Sequence, residues 1–178
     1  MERMIGRKQR DHKRFAFLVI LIVSGLLLAS SCSEKKPDPD DYRSYLGDYS
    51  YDSSISAMVY EDFDGEGYGI LYREVLDFTG YVTHAPLPVL VFFFSPRLGD
   101  NAGTTAQVEQ IAEDYHDELI VISVNVTKEA NIVRHYSVEG VPEFVILKSG
   151  SLHDRFGSMS RGSWSPEELS RWIEDGMR

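Results

Sequence analysis

Hydrophobic positions along this chain fall into distinct patterns, and each predicts a different element. Residues 87–94 are a nearly unbroken apolar stretch rich in Val and Phe, the signature of a strand buried on both faces. Over residues 104–116 the apolar side chains Val108, Ile111, Ala112 and Tyr115 recur at i, i+3, i+4 and i+7, which marks one face of a helix. Residues 119–124 form a second β-branched run. A strand, a helix and a strand within some forty residues predict a βαβ unit with parallel strands and a right-handed crossover. Downstream, 128–136 reads as a short helix with Ile132, Val133 and Tyr136 inward, and Glu143–Lys148 as a third strand. The turn Lys148, Ser149, Gly150, Ser151 then leads into an antiparallel partner over 152–156. The last helix opens at Ser165, with Pro166 in its first position and Glu168 completing a capping box; Leu169, Trp172 and Ile173 form its buried stripe. The pattern predicts an α/β fold of three layers, a mixed central sheet with helices on both faces.

The start of the chain obeys other rules. Residues 1–14 are basic, 15–29 are almost wholly apolar, and the small residues Ala29, Ser30 and Ser31 lead to Cys32. A charged start, a short apolar run and a small-residue exit describe an export signal over 1–31. The apolar run is shorter than the roughly 20 residues of a comfortable membrane-spanning helix. Leu28, Ala29, Ser30, Ser31 and Cys32 resemble the lipobox of bacterial lipoproteins, with Ala29 where Leu is preferred. That resemblance implies lipid attachment at Cys32, cleavage just before it, and a domain held outside the cytoplasm, periplasmic or at the cell surface, by an N-terminal lipid. The alternative is an uncleaved signal anchor with an incidental cysteine. Residues 32–54 are polar, acidic and interrupted by Pro37 and Pro39, a composition that cannot fold alone. They read as a flexible tether of about 25 Å. Its tyrosines (Tyr42, Tyr45, Tyr49, Tyr51) either dock on the domain or stay in water. The folded domain is expected over 55–178.

Charge narrows the partners. The chain carries 18 basic and 28 acidic side chains, but six basic and only two acidic ones lie in residues 1–31, so the remainder holds 12 against 26, a net of -14. Such a surface repels nucleic acid and anionic lipid headgroups. Its ordinary role is solubility, and it also suits a basic partner or divalent cations. The stretch Glu61 to Gly69 places Asp62, Asp64 and Glu66 at one-three-five spacing, but position twelve is Arg73 rather than Glu, so a solvated acidic turn is expected and no metal site. The five His have no paired ligand spacing. No cofactor motif is present.

Pro88 to Ser95, Asn125 with its flanking valines, the run Tyr136, Ser137, Val138, Glu139, Gly140, Val141, Pro142, and Lys148, Ser149, Gly150 together resemble the thioredoxin family, at family spacing and without a gap. The resemblance covers about residues 87–178. It extends weakly to 55–79, where it implies a strand over about 54–60 and a helix over about 68–78. It also places Leu98, Gly99, Asp100 and Asn101 where the family has Cys-Gly-Pro-Cys. Thiol–disulfide exchange needs an attacking thiolate and a resolving thiol, and neither position offers one. Arg97 stands for the family's tryptophan and Phe92 for its buried acid. Thr104 and Gln107 form a capping pair, so the helix is expected to start late, after a loop over 96–103. Pro142 matches the family's cis-proline, with Glu143 in place of Thr. Its retention serves the turn into the next strand, or a groove in which Val141, Pro142, Glu143 and the loop Arg97, Leu98, Gly99, Asp100, Asn101 bind an extended peptide.

These readings imply a membrane-anchored module that is not an enzyme and that binds an envelope protein. The alternatives are an accessory part in envelope thiol–disulfide homeostasis and a low-affinity divalent-cation binder.

Overall fold

The computed structural model describes residues 37–97, 101–157 and 163–178, with the side chains of Asn101 and Ala102 left aside. The signal over 1–31 and Cys32 lie outside the described residues, as do Leu98, Gly99 and Asp100. From Pro37 on, the chain forms one compact unit.

A seven-stranded sheet organises it. In chain order the elements are a 3-10 turn (Tyr42–Tyr45), β1 (Leu46–Tyr49), β2 (Ile55–Asp62), β3 (Tyr68–Val75), α1 (Phe78–His84), β4 (Val89–Phe94), α2 (Asn101–Asp114), β5 (Ile120–Asn125), α3 (Ala130–His135), β6 (Glu143–Lys148), β7 (Ser151–Gly157) and α4 (Pro166–Met177). The strand order is β1-β3-β2-β5-β4-β6-β7. β4 and β5 are parallel, as the βαβ pattern requires, and every other neighbouring pair is antiparallel.

The alternation of side chains along β4 creates two cores. Val89, Val91 and Phe93 face a cluster with α1 residues Phe78, Tyr81 and Val82, against which Ile132 and Val133 of α3 also lie. Leu90 and Phe92 face a second cluster with Val108, Ile111 and Ala112 of α2 and Leu169, Trp172 and Ile173 of α4. Ser165 caps α4 through the expected capping box with Glu168.

Two expectations fail in the N-terminal half. Residues 68–78 do not form a helix. Tyr68–Val75 is β3, paired residue for residue with β2. Ile70 and Tyr72 pack toward one core and Val75 toward the other, which is a period of two rather than 3.6. The helix begins only at Phe78, where the Asp77 side chain accepts the Gly80 N–H at 3.0 Å. The acidic stretch read as a solvated turn is the hairpin loop joining β2 to β3. Asp64 (φ 54°) and Gly65 (φ 80°) both take the left-handed conformation of a tight hairpin turn, and Asp62 Oδ1 accepts the Gly67 N–H at 2.9 Å.

The tether expected over 32–54 is also shorter than its composition implies. Tyr42–Tyr45 forms the 3-10 turn, capped by Asp41, and β1 adds to the sheet edge beside β3. Tyr45 and Leu46 are buried in the core with α1. Tyr42 lies 5.6 Å from the Tyr81 ring, while Tyr49 and Tyr51 stay largely exposed. Polar composition misled here because two apolar anchors suffice when a preformed sheet edge supplies the backbone partners. α2 starts at Asn101 rather than after Gly103, and Gln107 Nε2 donates to the Pro166 carbonyl at 3.1 Å instead of capping its own helix. No helix among the described residues is long and apolar enough to cross a membrane.

If this N-terminal segment is part of the fold, Tyr45→Ala should lower unfolding stability by about 3 kcal/mol, as for other large buried aromatics. Urea denaturation measures it, and an unchanged midpoint would return residues 42–49 to the tether.

Candidate functional site

The corner in question lies at the C-terminal ends of β4 and β5. β4 delivers Ser95, which is buried, and then Pro96 and Arg97, which are exposed. Phe93 pairs with Glu143, so the Val141–Pro142 bond sits at the same end of the sheet, and that bond is cis. Asn125 closes the β5 side, and its buried Oδ1 accepts the backbone N–H (3.0 Å) and hydroxyl (2.7 Å) of Thr127.

Of the sequence-derived site residues, the fold brings Arg97 to the end that carries Val141, Pro142 and Glu143, and Asn101 opens α2. Val141 and Pro142 are half-buried, with Val141 packed on the α1-side core. Glu143 does not behave as a groove acid. Its side chain is only 3% exposed and turns into the domain. The backbone direction is dictated by register: Glu143 stands opposite Gly157 on β7, and a Cβ on Gly157 would come within 1.8 Å of Glu143 Oε2. The glycine therefore makes room for the carboxylate. Arg155, on the same face of β7, places Nη1 3.5 Å from Glu143 Oε1. The Arg155 guanidinium also donates to the Ser137 carbonyl at 3.0 Å and to the Tyr136 carbonyl. One arginine thus ties the buried acid to the end of α3.

The pair is incomplete. Glu143 Oε2 is buried without a hydrogen-bond partner. Burial pushes the carboxyl above the usual carboxylate range; Arg155 pulls it back and Glu139 adds to the rise.

On the opposite face, Phe92 occupies the place where the resemblance puts a buried acid. It stacks on Phe144 at 5.2 Å and on Phe94 at 5.6 Å. The stack continues through Phe156 to Trp164 (5.5 Å) and Trp172 (5.2 Å), and Trp172 Nε1 donates to Asp154 Oδ2 at 2.7 Å. Sequence reading did not find Arg155, Asp154 or the Trp164 contact. Their signal was the alternation along β7, where Asp154 and Phe156 share one face and Arg155 and Gly157 the other. Among the described residues no group of three or more His, Cys, Asp or Glu is placed to hold a metal ion.

A mixed sheet with one parallel pair, helices on both faces and a cis-proline beside the end of β4 defines a thioredoxin-like α/β domain. The thioredoxin family model matches residues 70–175, well over half of the chain, and the chain belongs to the thioredoxin family. It is 30% identical to the thioredoxin of Acidithiobacillus ferridurans over 93 residues, covering 52% of this chain and 86% of that one. Against thioredoxin 1 of Synechococcus elongatus it is 30% identical over 73 residues, 41% of this chain and 68% of the other. Similarity to thioredoxin Y1 of Arabidopsis thaliana chloroplasts is 25% over 101 residues and spans 56% of that protein.

The raised Glu143 fixes a sign. A carboxyl whose folded value lies above its unfolded one contributes stability that is fully present below the ordinary carboxylate range and is lost as pH rises through the folded value. Glu143→Gln should therefore gain stability relative to the parent as pH goes from 4 to 7, read as the difference between urea midpoints. A difference that stays constant or shrinks would mean that Arg155 fully compensates the charge. Gly157→Ala should cost about 3 kcal/mol at either pH, because the new methyl collides with the carboxylate.

Proposed function

We propose that this protein is a thioredoxin-family module that has given up dithiol chemistry and serves as a lipid-anchored binding domain for an envelope protein. The observation that carries the reading is the cysteine inventory. The chain has a single Cys, at position 32, and Leu98 and Asn101 occupy the positions of the family's reactive pair. Attack on a disulfide requires a thiolate, and release of the mixed disulfide requires a second thiol. The aromatic stack at Phe92 supports the same reading, because a stacked phenyl ring cannot move a proton to or from a thiol.

In this reading Cys32 carries the lipid, and the chain between it and Asp41 is what remains of the tether. The surface offered to the partner consists of Arg97, Val141 and Pro142, joined, as the resemblance implies, by Leu98, Gly99, Asp100 and Asn101. Glu143 acts from beneath, holding the strand with Arg155 rather than touching the partner. The net of -14 outside the signal favours a partner with a basic face.

Three measurements test the proposal separately. Insulin reduction by the purified protein with dithiothreitol should not exceed the blank, and turnover above it would restore an enzymatic role. Mass spectrometry of the mature N-terminus should find acyl chains on Cys32; a free thiol on an uncleaved chain would remove the anchor. Pull-down from detergent extracts with the full-length chain should recover a partner that Arg97→Glu and Val141→Asp release. Capture unchanged by both substitutions would place the binding surface elsewhere.

A further inference from the structure

The chain contains two Asp-Gly steps, Asp64–Gly65 and Asp175–Gly176, and the fold treats them oppositely. At such a step the glycine amide nitrogen can attack the aspartate Cγ and close a five-membered succinimide. A glycine has no Cβ to obstruct the approach. Backbone geometry then decides the matter. The ring closes only when the nitrogen is rotated onto the side of Cβ, which for an L residue means an aspartate ψ of about -120°, the value of the first central residue of a type II′ turn.

Asp64 and Gly65 are the central residues of the β2–β3 hairpin loop. Their φ values, 54° and 80°, are those of a type I′ turn, closed by the Glu66 N–H donating to the Phe63 carbonyl at 2.9 Å. The base of the loop is pinned twice more. The Phe63 N–H donates to the Gly67 carbonyl at 3.2 Å, and Asp62 Oδ1 accepts the Gly67 N–H at 2.9 Å. None of these bonds uses the Asp64–Gly65 peptide unit. Types I′ and II′ differ by rotation of that central unit: the first φ stays near about +60°, its ψ moves to about -120°, and the second φ changes sign. Glycine tolerates both signs. The Glu66–Phe63 bond spans the rotation and is kept. Flipping one peptide therefore brings the Gly65 nitrogen to the Asp64 carboxyl without unfolding the hairpin. An L residue is strained at that ψ, so the flipped turn is a minor state and the reaction is slow. Both residues are exposed, no atom lies within 4 Å of a Cβ position on Gly65, and the Asp64 carboxyl makes no hydrogen bond or ion pair among the described residues.

Asp175–Gly176 has none of this freedom. It lies in the last turns of α4, where the helical ladder holds the Gly176 N–H and ψ is about -40°. Gly176 is buried against Ile146, and Asp175 Oδ1 accepts Arg178 Nη1 at 3.0 Å. The nitrogen reaches Cγ there only after the helix end opens.

From this we infer that Asp64 is a self-modification site, at which the folded hairpin converts aspartate to isoaspartate through a succinimide, and that Asp175 is not. The bond between Gly65 N and Asp64 Cγ forms as the carboxylic acid gives up its hydroxyl, which leaves as water with the amide proton. Water then adds back. Addition at the Asp64 main-chain carbonyl carbon breaks the original peptide bond and leaves isoaspartate; addition at Cγ restores aspartate. Water is the only co-reactant, and nothing is oxidised or reduced. The product carries one extra methylene in the backbone of the hairpin tip and a carboxylate directly on Cα. The inference concerns a different surface from the partner reading and does not depend on it.

The test is storage of the full-length chain in detergent micelles at pH 5, because the acid form is the one that loses hydroxyl, beside the same chain in urea. Peptide mapping with fragmentation that distinguishes the two linkages reads isoaspartate at each position. In the folded chain Asp64 should convert within about threefold of its rate in urea, while Asp175 should convert at least about tenfold more slowly than in urea, because it waits for local opening of the helix. Asp64→Glu, which would need a six-membered ring, and Gly65→Ala, whose methyl obstructs the nitrogen, should each reduce conversion at position 64 several-fold in urea, so neither variant has to fold. The proposal is overturned if Asp64 remains aspartate in the folded chain, if the fold slows Asp64 as much as Asp175, or if both variants convert like the parent.

Discussion

Everything in this domain hangs on β4 being buried on both faces. Six consecutive apolar residues, Val89–Phe94, have no solvent side, so both faces of the sheet must be covered. α1 and α3 cover one and α2 and α4 the other. The same strand sets the position of the functional corner. Its parallel pairing with β5 and antiparallel pairing with β6 bring Ser95 to Arg97, Asn125 and cis-Pro142 to one end of the sheet. The cost of moving β4 would be felt at each of these residues, because the interior is close-packed.

Against that frame, the distribution of buried charge is informative. Where the family resemblance places an acid beneath the helix-bearing face, this chain has Phe92 within a stack of rings. A buried acid does exist, but one strand over and on the other face, at Glu143. There it meets Arg155 through one oxygen only, while the other is left unpaired beside Gly157. The interior beneath the corner has thus exchanged a titratable group for dispersion contacts on the α2 side. On the α3 side it has an ion pair that secures the segment before Pro142 through the carbonyls of Tyr136 and Ser137. A buried pair of this kind adds little net stability but is expensive to break.

The two ends of the sheet differ in kind. The cis-proline end is built from backbone turns and a half-buried Val141 and Pro142. The other end opens because β2 outlasts β5, and it gathers Tyr42, Tyr60, Tyr68 and Tyr81 around the gap. That gathering depends on residues 42–49 joining the sheet edge, which their polar composition conceals.

From sequence alone, the central architecture was legible because it rests on long, strongly periodic runs. The β4–α2–β5 unit, the β6–β7 hairpin and the capped α4 follow from spacing that permits no other element. The absence of a second cysteine was equally plain, since it needs only a count. What the sequence could not reveal depends on contacts between distant residues. Residues 68–75 became a strand because β2 lies beside them, and Tyr45 and Leu46 became core because α1 and a sheet edge were there to receive them. Glu143 turned inward because register set it opposite a glycine, and the tyrosine-lined cleft arose because β2 pairs with β5 only to Met58 and runs on to Asp62. Local periodicity fixes which face a residue presents; only tertiary pairing decides what that face meets.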